Sequence, residues 1–220
     1  MSTGSDDRVD GPHQGQPLRT AGTPLDEAEA AVVLTHGRGA TAQGMLQMAD
    51  EVHRESVAFL APQAARRTWY PNSFLAPVAD NEPGRSSGLQ AISDAIAEAD
   101  DAGIPTERVM LIGFSQGACL ASEFLARNPR RYGGLAALSG GLIGEDLDDE
   151  YPGDLEGTPV FLGCSDVDPH IPEERVHDTA DAFESMDADV TERLYEGMGH
   201  GINEDEMAVV SEMVAALVED

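Results

Sequence analysis

The sequence predicts a single α/β domain, a mostly parallel sheet with helices on both of its faces. Three observations lead there. Short continuous apolar runs such as AAVVL, VAFLA and VMLIG recur along the chain, as expected of strands buried on both faces. Stretches with apolar residues three and four apart lie between them, the period of a helix with one buried face. The two patterns alternate with no internal repeat, and alternation of this kind gives a parallel sheet with crossover helices. At 220 residues the chain has the length of one domain.

Residues 1–15 are polar and rich in Gly, Asp and Gln, so they are expected to form a flexible acidic tail before a domain spanning 16–220. QPLRTAG follows as an edge strand, and AAVVLTHG as a buried strand ending in a glycine-rich turn. TAQGMLQMADEVHRE is expected to be helical, and SVAFLAP is a short strand stopped by Pro62. From Gln63 to Arg85, Pro71, Pro77 and Pro83 interrupt any period; long irregular segments of this sort are often functional. A helix resumes at Ser86, with Leu89, Ile92, Ile96 and Ala99 on one face and Gly103 as its stop.

RVMLIGF is the next strand, and the helix beyond Ser115 carries Leu120, Phe124 and Leu125. GGLAALSG and TPVFLGCSD are two further strands, separated by an acidic loop. Pro172 opens a helix with Val176, Ala180 and Phe183 inward, in keeping with proline at a first helical position. DVTERLYEG is the last strand. The final helix starts at Asn203 with Glu206 three residues on, a capping-box arrangement, and buries Met207, Val210, Val214 and Leu217.

Charge narrows the partners. There are 41 acidic residues against 13 basic ones, a formal net charge of -28, and every basic residue is arginine. Nucleic acid and anionic membrane surfaces are polyanions, so such a chain is repelled by both. The acids are spread along the whole length between periodic apolar residues, which excludes an acidic tail and a disordered chain. What remains is a folded protein with an acidic coat, suited to a cell interior of molar salt, where a Debye length of about 3 Å screens self-repulsion. The organism is expected to be an extreme halophile. No apolar stretch reaches the ~20 residues that span a bilayer, and the polar N-terminus carries no secretory signal, so a cytoplasmic location is expected. Cys119 and Cys164 are too few for a disulfide framework and are expected to be buried thiols.

The chemistry is carried by residues at strand ends. Gly113-Phe114-Ser115-Gln116-Gly117 follows a strand and precedes a helix, the setting of a nucleophile elbow. Asp166 and Asp168 follow the strand PVFLGC, and His200 follows RLYEGMG. The order Ser, Asp, His at three strand-to-helix junctions is that of α/β-hydrolases. A serine hydroxyl is a weak nucleophile without a base, His200 supplies the base, and a carboxylate behind it fixes the imidazole. Asp166 and Asp168 are two apart on an extended segment, so spacing does not choose between them. An oxyanion hole is expected from the backbone N–H of Gln116 and of Arg38, the latter in the loop HGRGA where Gly37 and Gly39 let the backbone approach substrate.

The remaining histidines have other readings. His36 is read as ordering its loop, and His13 and His53 as surface residues. His170 and His177 are seven apart across a helix start, an unusual metal-ligand spacing, and no metal site is expected.

LTHGRG, GFSQG, DVDPHIP and YEGMGHGI together resemble the phospholipase/carboxylesterase family of α/β-hydrolases, which includes acyl-protein thioesterases. The resemblance runs from about Leu18 to the C-terminus. It implies that the acid of the triad is Asp168, directly before the proline, and that the loop donor is Arg38. It also implies hydrolysis of short- to medium-chain acyl esters without a cofactor. RTWYPNSFLAP is similar to the corresponding loop of a subgroup of prokaryotic esterases and differs from that of eukaryotic thioesterases.

Trp69, Tyr70 and Phe74 concentrate aromatics in this irregular loop, where they either anchor it to the core or line an acyl pocket. They are assigned, with Ile171, to substrate binding. The expected function is a carboxylesterase with Ser115, His200 and Asp168 as its triad, acting on a small-molecule ester as a monomer or homodimer. A thioesterase or lysophospholipase would use the same residues. Dienelactone-hydrolase-like activity fits less well, since that resemblance carries cysteine at the elbow. A non-catalytic ligand-binding hydrolase fold is the alternative of another class.

Overall fold

A computed structural model describes residues 9–148 and 151–219. The strands are β1 (Leu18–Gly22), β2 (Ala30–Thr35), β3 (Val57–Pro62), β4 (Val109–Phe114), β5 (Gly134–Leu138), β6 (Pro159–Ser165) and β7 (Asp189–Tyr195). The α-helices among the described residues are α1 (Ala42–Ala49), α2 (Gly84–Asp101), α3 (Gln116–Arg127), α4 (Glu173–Ser185) and α5 (Glu204–Ala216).

All seven strands join one sheet in the order β1-β3-β2-β4-β5-β6-β7, parallel except for β1, which runs antiparallel along β3. This is the α/β-hydrolase fold that the sequence predicts. Every residue of β2 and β3 is buried, which accounts for their unbroken apolar runs. β7 lies at an edge and alternates between exposed and half-buried positions. The core divides between the two faces. α2, α3 and α4 pack Ile92, Leu120 and Phe183 over one side, and α1 and α5 pack Leu46 and Val214 over the other. Each such fully buried side chain contributes about 1.5–3 kcal/mol.

Some local expectations need correction. The helix expected over 41–55 is shorter: Thr41 caps its start, and α1 ends at Ala49. Asp50 and Glu51 would oppose the helix dipole at that end, and the chain tightens into a 3-10 turn that buries Val52. Pro172 caps α4 from outside and Glu173 is its first residue. Residues 1–8 of the expected tail lie outside the described residues. His13 is not a surface residue. It is buried at 4% exposure, with its N–H bonded to Ser87 and its ring against Trp69.

The strand order reverses between β2 and β4, whose carboxyl ends lie side by side with Thr35 opposite Gly113. In open α/β sheets this switch point is where ligands bind. The approach here is close. A Cβ on Gly117 would fall 2.1 Å from the Thr35 carbonyl oxygen, and one on Gly113 would fall 2.6 Å from Ala118 backbone atoms. Both glycines of GFSQG are therefore required by packing of α3 onto β2 and β4.

Candidate active site

Ser115 stands between β4 and α3 with φ 54° and ψ -120°. A non-glycine residue there stores strain of about 1–3 kcal/mol, held by the flanking glycines and by the Ser115 N–H bond to Leu138. The turn brings Ser115 Oγ to 2.9 Å from His200 Nε2. On the other side of the ring, His200 Nδ1 lies 2.7 Å from Asp168 Oδ2. A carboxylate only accepts, so Nδ1 carries the proton and Nε2 is left to accept from the serine hydroxyl.

Asp168 is fixed from below. Its side chain has no exposure, and Oδ1 accepts from the N–H groups of His170 (2.8 Å) and Ile171 (3.1 Å). Burial would raise its pKa, but the His200 bond and then those two N–H groups outweigh burial and hold it below the usual carboxylate value. Asp166 is placed differently. It is exposed, and its Oδ1 accepts from Gly197 N–H at 2.8 Å. The loop bearing His200 is anchored at Ser165 Oγ, which accepts from Gly199 N–H, and by Ser139 Oγ donating to Gly201 O. The capping box of Asn203 and Glu206 closes it onto α5.

A cavity of about 510 Å³ opens on Ser115 and His200. Its wall is formed by Arg38, Tyr70, Phe74, Gln116, Cys119 and Ile171, with Pro71, Asn72, Ser73 and His170 completing it. Among the described residues no carboxylate lines it, in a chain with 41 of them, so negative charge developing inside meets no lining anion. Cys119 sits one helical turn beyond Ser115 on α3. Burial pushes its thiol up to about 11, so it is neutral and unreactive there. Cys119 and Cys164 are both free and buried.

The backbone N–H of Gln116 is in the first turn of α3, where intrahelical partners are lacking. Neither it nor the Arg38 N–H meets a protein acceptor among the described residues. The Arg38 guanidinium donates to the carbonyls of Pro71 (3.0 Å) and Asn72 (2.6 Å). It straps the loop after β2 to the wall loop.

Trp69 is the residue whose placement differs from expectation. It does not line the cavity. Its ring is wholly buried, against the His36 and His13 rings at 5.0 and 5.2 Å, and its indole N–H donates to the His36 carbonyl at 2.8 Å. A buried indole needs an acceptor, and the one within reach lies behind the site. Tyr70, Phe74 and Ile171 do face the cavity. Five wall residues were not anticipated: Pro71, Asn72, Ser73, Cys119 and His170, whose ring stands edge-on to His200 at 4.9 Å. Cys119 was discoverable, since four positions along a helix return to the same face as Ser115. Among the described residues, no group of three or more His, Cys, Asp or Glu side chains is gathered to hold a metal.

The model of the phospholipase/carboxylesterase family matches residues 21–218. The chain belongs to that family. Within it, the chain is 39% identical over 128 residues to acyl-protein thioesterase 1 of Kluyveromyces lactis, a match covering 56% of each protein. It is 26% identical to acyl-protein thioesterase 1 of Candida albicans, over 87% of this chain and 94% of that one. A crystal structure of a phospholipase/carboxylesterase from Dyadobacter fermentans superposes with a TM-score of 0.87 at 40% identity, covering 91% of this chain and 97% of that one. These members of the phospholipase/carboxylesterase family are hydrolases of esters and thioesters, and this chain shares their family and fold. No helix among the described residues is long and apolar enough to cross a membrane.

Proposed function

We propose that the protein is a serine carboxylesterase that hydrolyses short- to medium-chain carboxylic esters through an acyl-enzyme. The observation that carries this reading is the unbroken chain from Ser115 Oγ through His200 to Asp168, at 2.9 and 2.7 Å, opening into a cavity. Ser115 Oγ attacks the ester carbonyl as His200 Nε2 takes its proton, and the carbonyl electron pair moves onto oxygen. The N–H groups of Arg38 and Gln116 receive that oxyanion. Its collapse breaks the bond to the alcohol oxygen, which leaves with the proton from Nε2. Water, deprotonated by His200, then attacks the acyl-enzyme, and Ser115 departs with its hydroxyl restored. Asp168 stabilises the imidazolium in both halves without being protonated. Proton transfer by a positioned base contributes about 100- to 10,000-fold and each oxyanion donor about 100- to 1000-fold. No step requires a cofactor.

A thioester substrate is the second reading, favoured by the acyl-protein thioesterase relatives and by the same atoms serving both reactions. A panel of p-nitrophenyl esters and acyl thioesters, assayed in molar KCl, separates them. The first reading expects higher kcat/KM on the esters, and a clear preference for thioesters replaces it with the second. The acidic coat, 41 acids against 13 arginines, supports a cytoplasmic enzyme of a salt-accumulating cell.

A further inference from the structure

We propose that Trp69 is the positioning residue that sets the relative placement of the two oxyanion donors, the N–H groups of Arg38 and Gln116. The inference rests on the reading of Ser115 as nucleophile. The two donors come from segments far apart in sequence, the loop after β2 and the first turn of α3. An oxyanion hole works only when both N–H groups converge on one point about 2.7–3.1 Å away. Something must hold the segments in register, and Trp69 bonds to both.

Toward the loop, the indole N–H donates to the His36 carbonyl at 2.8 Å. Toward α3, the main-chain N–H of Trp69 donates to Gln116 Oε1 at 2.9 Å, while Gln116 Nε2 donates to the Tyr70 carbonyl at 2.8 Å. The side chain of Gln116 is thus clamped by residues 69 and 70, which fixes a cavity-lining residue whose own N–H meets no protein acceptor among the described residues.

The His36 ring carries the hold to the Arg38 peptide. Its Nε2 accepts from Ala64 N–H at 3.1 Å, so Nδ1 bears the proton and donates to the Gly37 carbonyl at 2.8 Å. In a trans peptide the N–H points opposite to the C=O. Anchoring the Gly37 carbonyl therefore aims the Arg38 N–H. The Trp69 ring lies against that imidazole at 5.0 Å and seats it. Trp69 is itself pinned by His13, whose Nδ1 accepts from Ala65 N–H at 3.0 Å and whose Nε2 donates to the Trp69 carbonyl at 2.8 Å. A fully buried tryptophan with every polar group engaged, and with both partners leading to the hole, is more than a core filler.

The test compares wild type with Trp69→Phe, which keeps a ring and loses the indole N–H. A second variant carries benzothienylalanine at position 69, an isostere with sulfur in place of N–H that guards against a packing defect. Steady-state kinetics on one short ester is measured beside inhibition by a trifluoromethyl ketone, which forms the oxyanion adduct at Ser115. Misaiming a donor should cost less than deleting it, so kcat should fall about 10- to 100-fold with KM within about twofold. The ketone should bind more weakly by the same factor, and the pH–rate profile should keep its midpoint because His200 and Asp168 are untouched. Folded variants with unchanged kcat, or with KM alone altered, would overturn the proposal. A wild type that hydrolyses no ester and forms no adduct at Ser115 would instead overturn the nucleophile reading, and the proposal with it.

Discussion

Replacing Asp168 by asparagine should cripple the enzyme without disturbing its fold, and the structure shows why. Oδ1 of Asp168 accepts two backbone N–H bonds, from His170 and Ile171. An asparagine must place its carbonyl oxygen there, because its NH₂ group cannot accept. The NH₂ is then forced into the Oδ2 position, 2.7 Å from His200 Nδ1. Facing a donor, Nδ1 must become the acceptor, and the ring proton moves to Nε2. In that tautomer Nε2 can no longer take the proton of Ser115. The corresponding change in serine proteases lowers kcat about 10,000-fold, equivalent to about 5 kcal/mol of transition-state stabilisation. The assay is kcat/KM on a p-nitrophenyl ester in molar KCl, with circular dichroism to establish folding. Asp166→Asn is the control. Its Oδ1 accepts from Gly197 N–H, which an asparagine oxygen does equally well, so activity should stay within about threefold of wild type. A folded Asp166→Asn more damaged than Asp168→Asn would refute the reasoning.

Three other outcomes are expected. Phe74→Ala should enlarge the cavity and shift the ester chain-length profile toward longer acyl groups, while a small phosphonate still labels Ser115 at the wild-type rate; an unchanged profile would remove Phe74 from the acyl site. Glu206 is wholly buried, its Oε1 has no hydrogen-bond partner among the described residues, and burial, opposed by the Asn203 N–H, pushes its pKa from 4.5 up to about 7. A carboxyl with a raised folded pKa contributes stability at low pH that is lost as pH rises through that window, by about 3 kcal/mol. Glu206→Gln should accordingly leave Tm unchanged near pH 5 and raise it near pH 8; a difference between variant and wild type that does not vary with pH would contradict this. Finally, at ~10 mM salt the Debye length is about 30 Å, so a net charge of -28 repels across the whole molecule. Tm should climb steeply between dilute buffer and ~2 M KCl, and a Tm indifferent to KCl would mean that the acids are individually compensated.

The sheet was legible because β2, β3 and β4 are buried on both faces and spell themselves as apolar runs. The positions of Ser115 and Asp168 were legible because each follows such a run, and that of His200 because it follows the alternating edge strand β7 and precedes the last helix. The choice between Asp166 and Asp168 was not legible from spacing alone. It depends on which carboxylate meets His200 and which meets Gly197, a matter of how the loop after β7 folds back. Trp69 shows a second limit. An aromatic in an irregular loop has no period to assign it a face, and its direction is set by an acceptor on His36, 33 positions away. His13 reads as a surface residue for the same reason: its burial comes from Trp69 and Ser87, contacts that leave no trace in the local sequence.

The most direct test of the central claim is active-site labelling. The protein, folded in molar KCl and hydrolysing a p-nitrophenyl ester, is treated with a fluorophosphonate and digested for mass spectrometry, with loss of activity followed in parallel. The account predicts one adduct per chain, on Ser115, appearing in step with the loss of activity, and no adduct with Ser115→Ala. An adduct on another residue, or full inhibition with Ser115 unmodified, would contradict it.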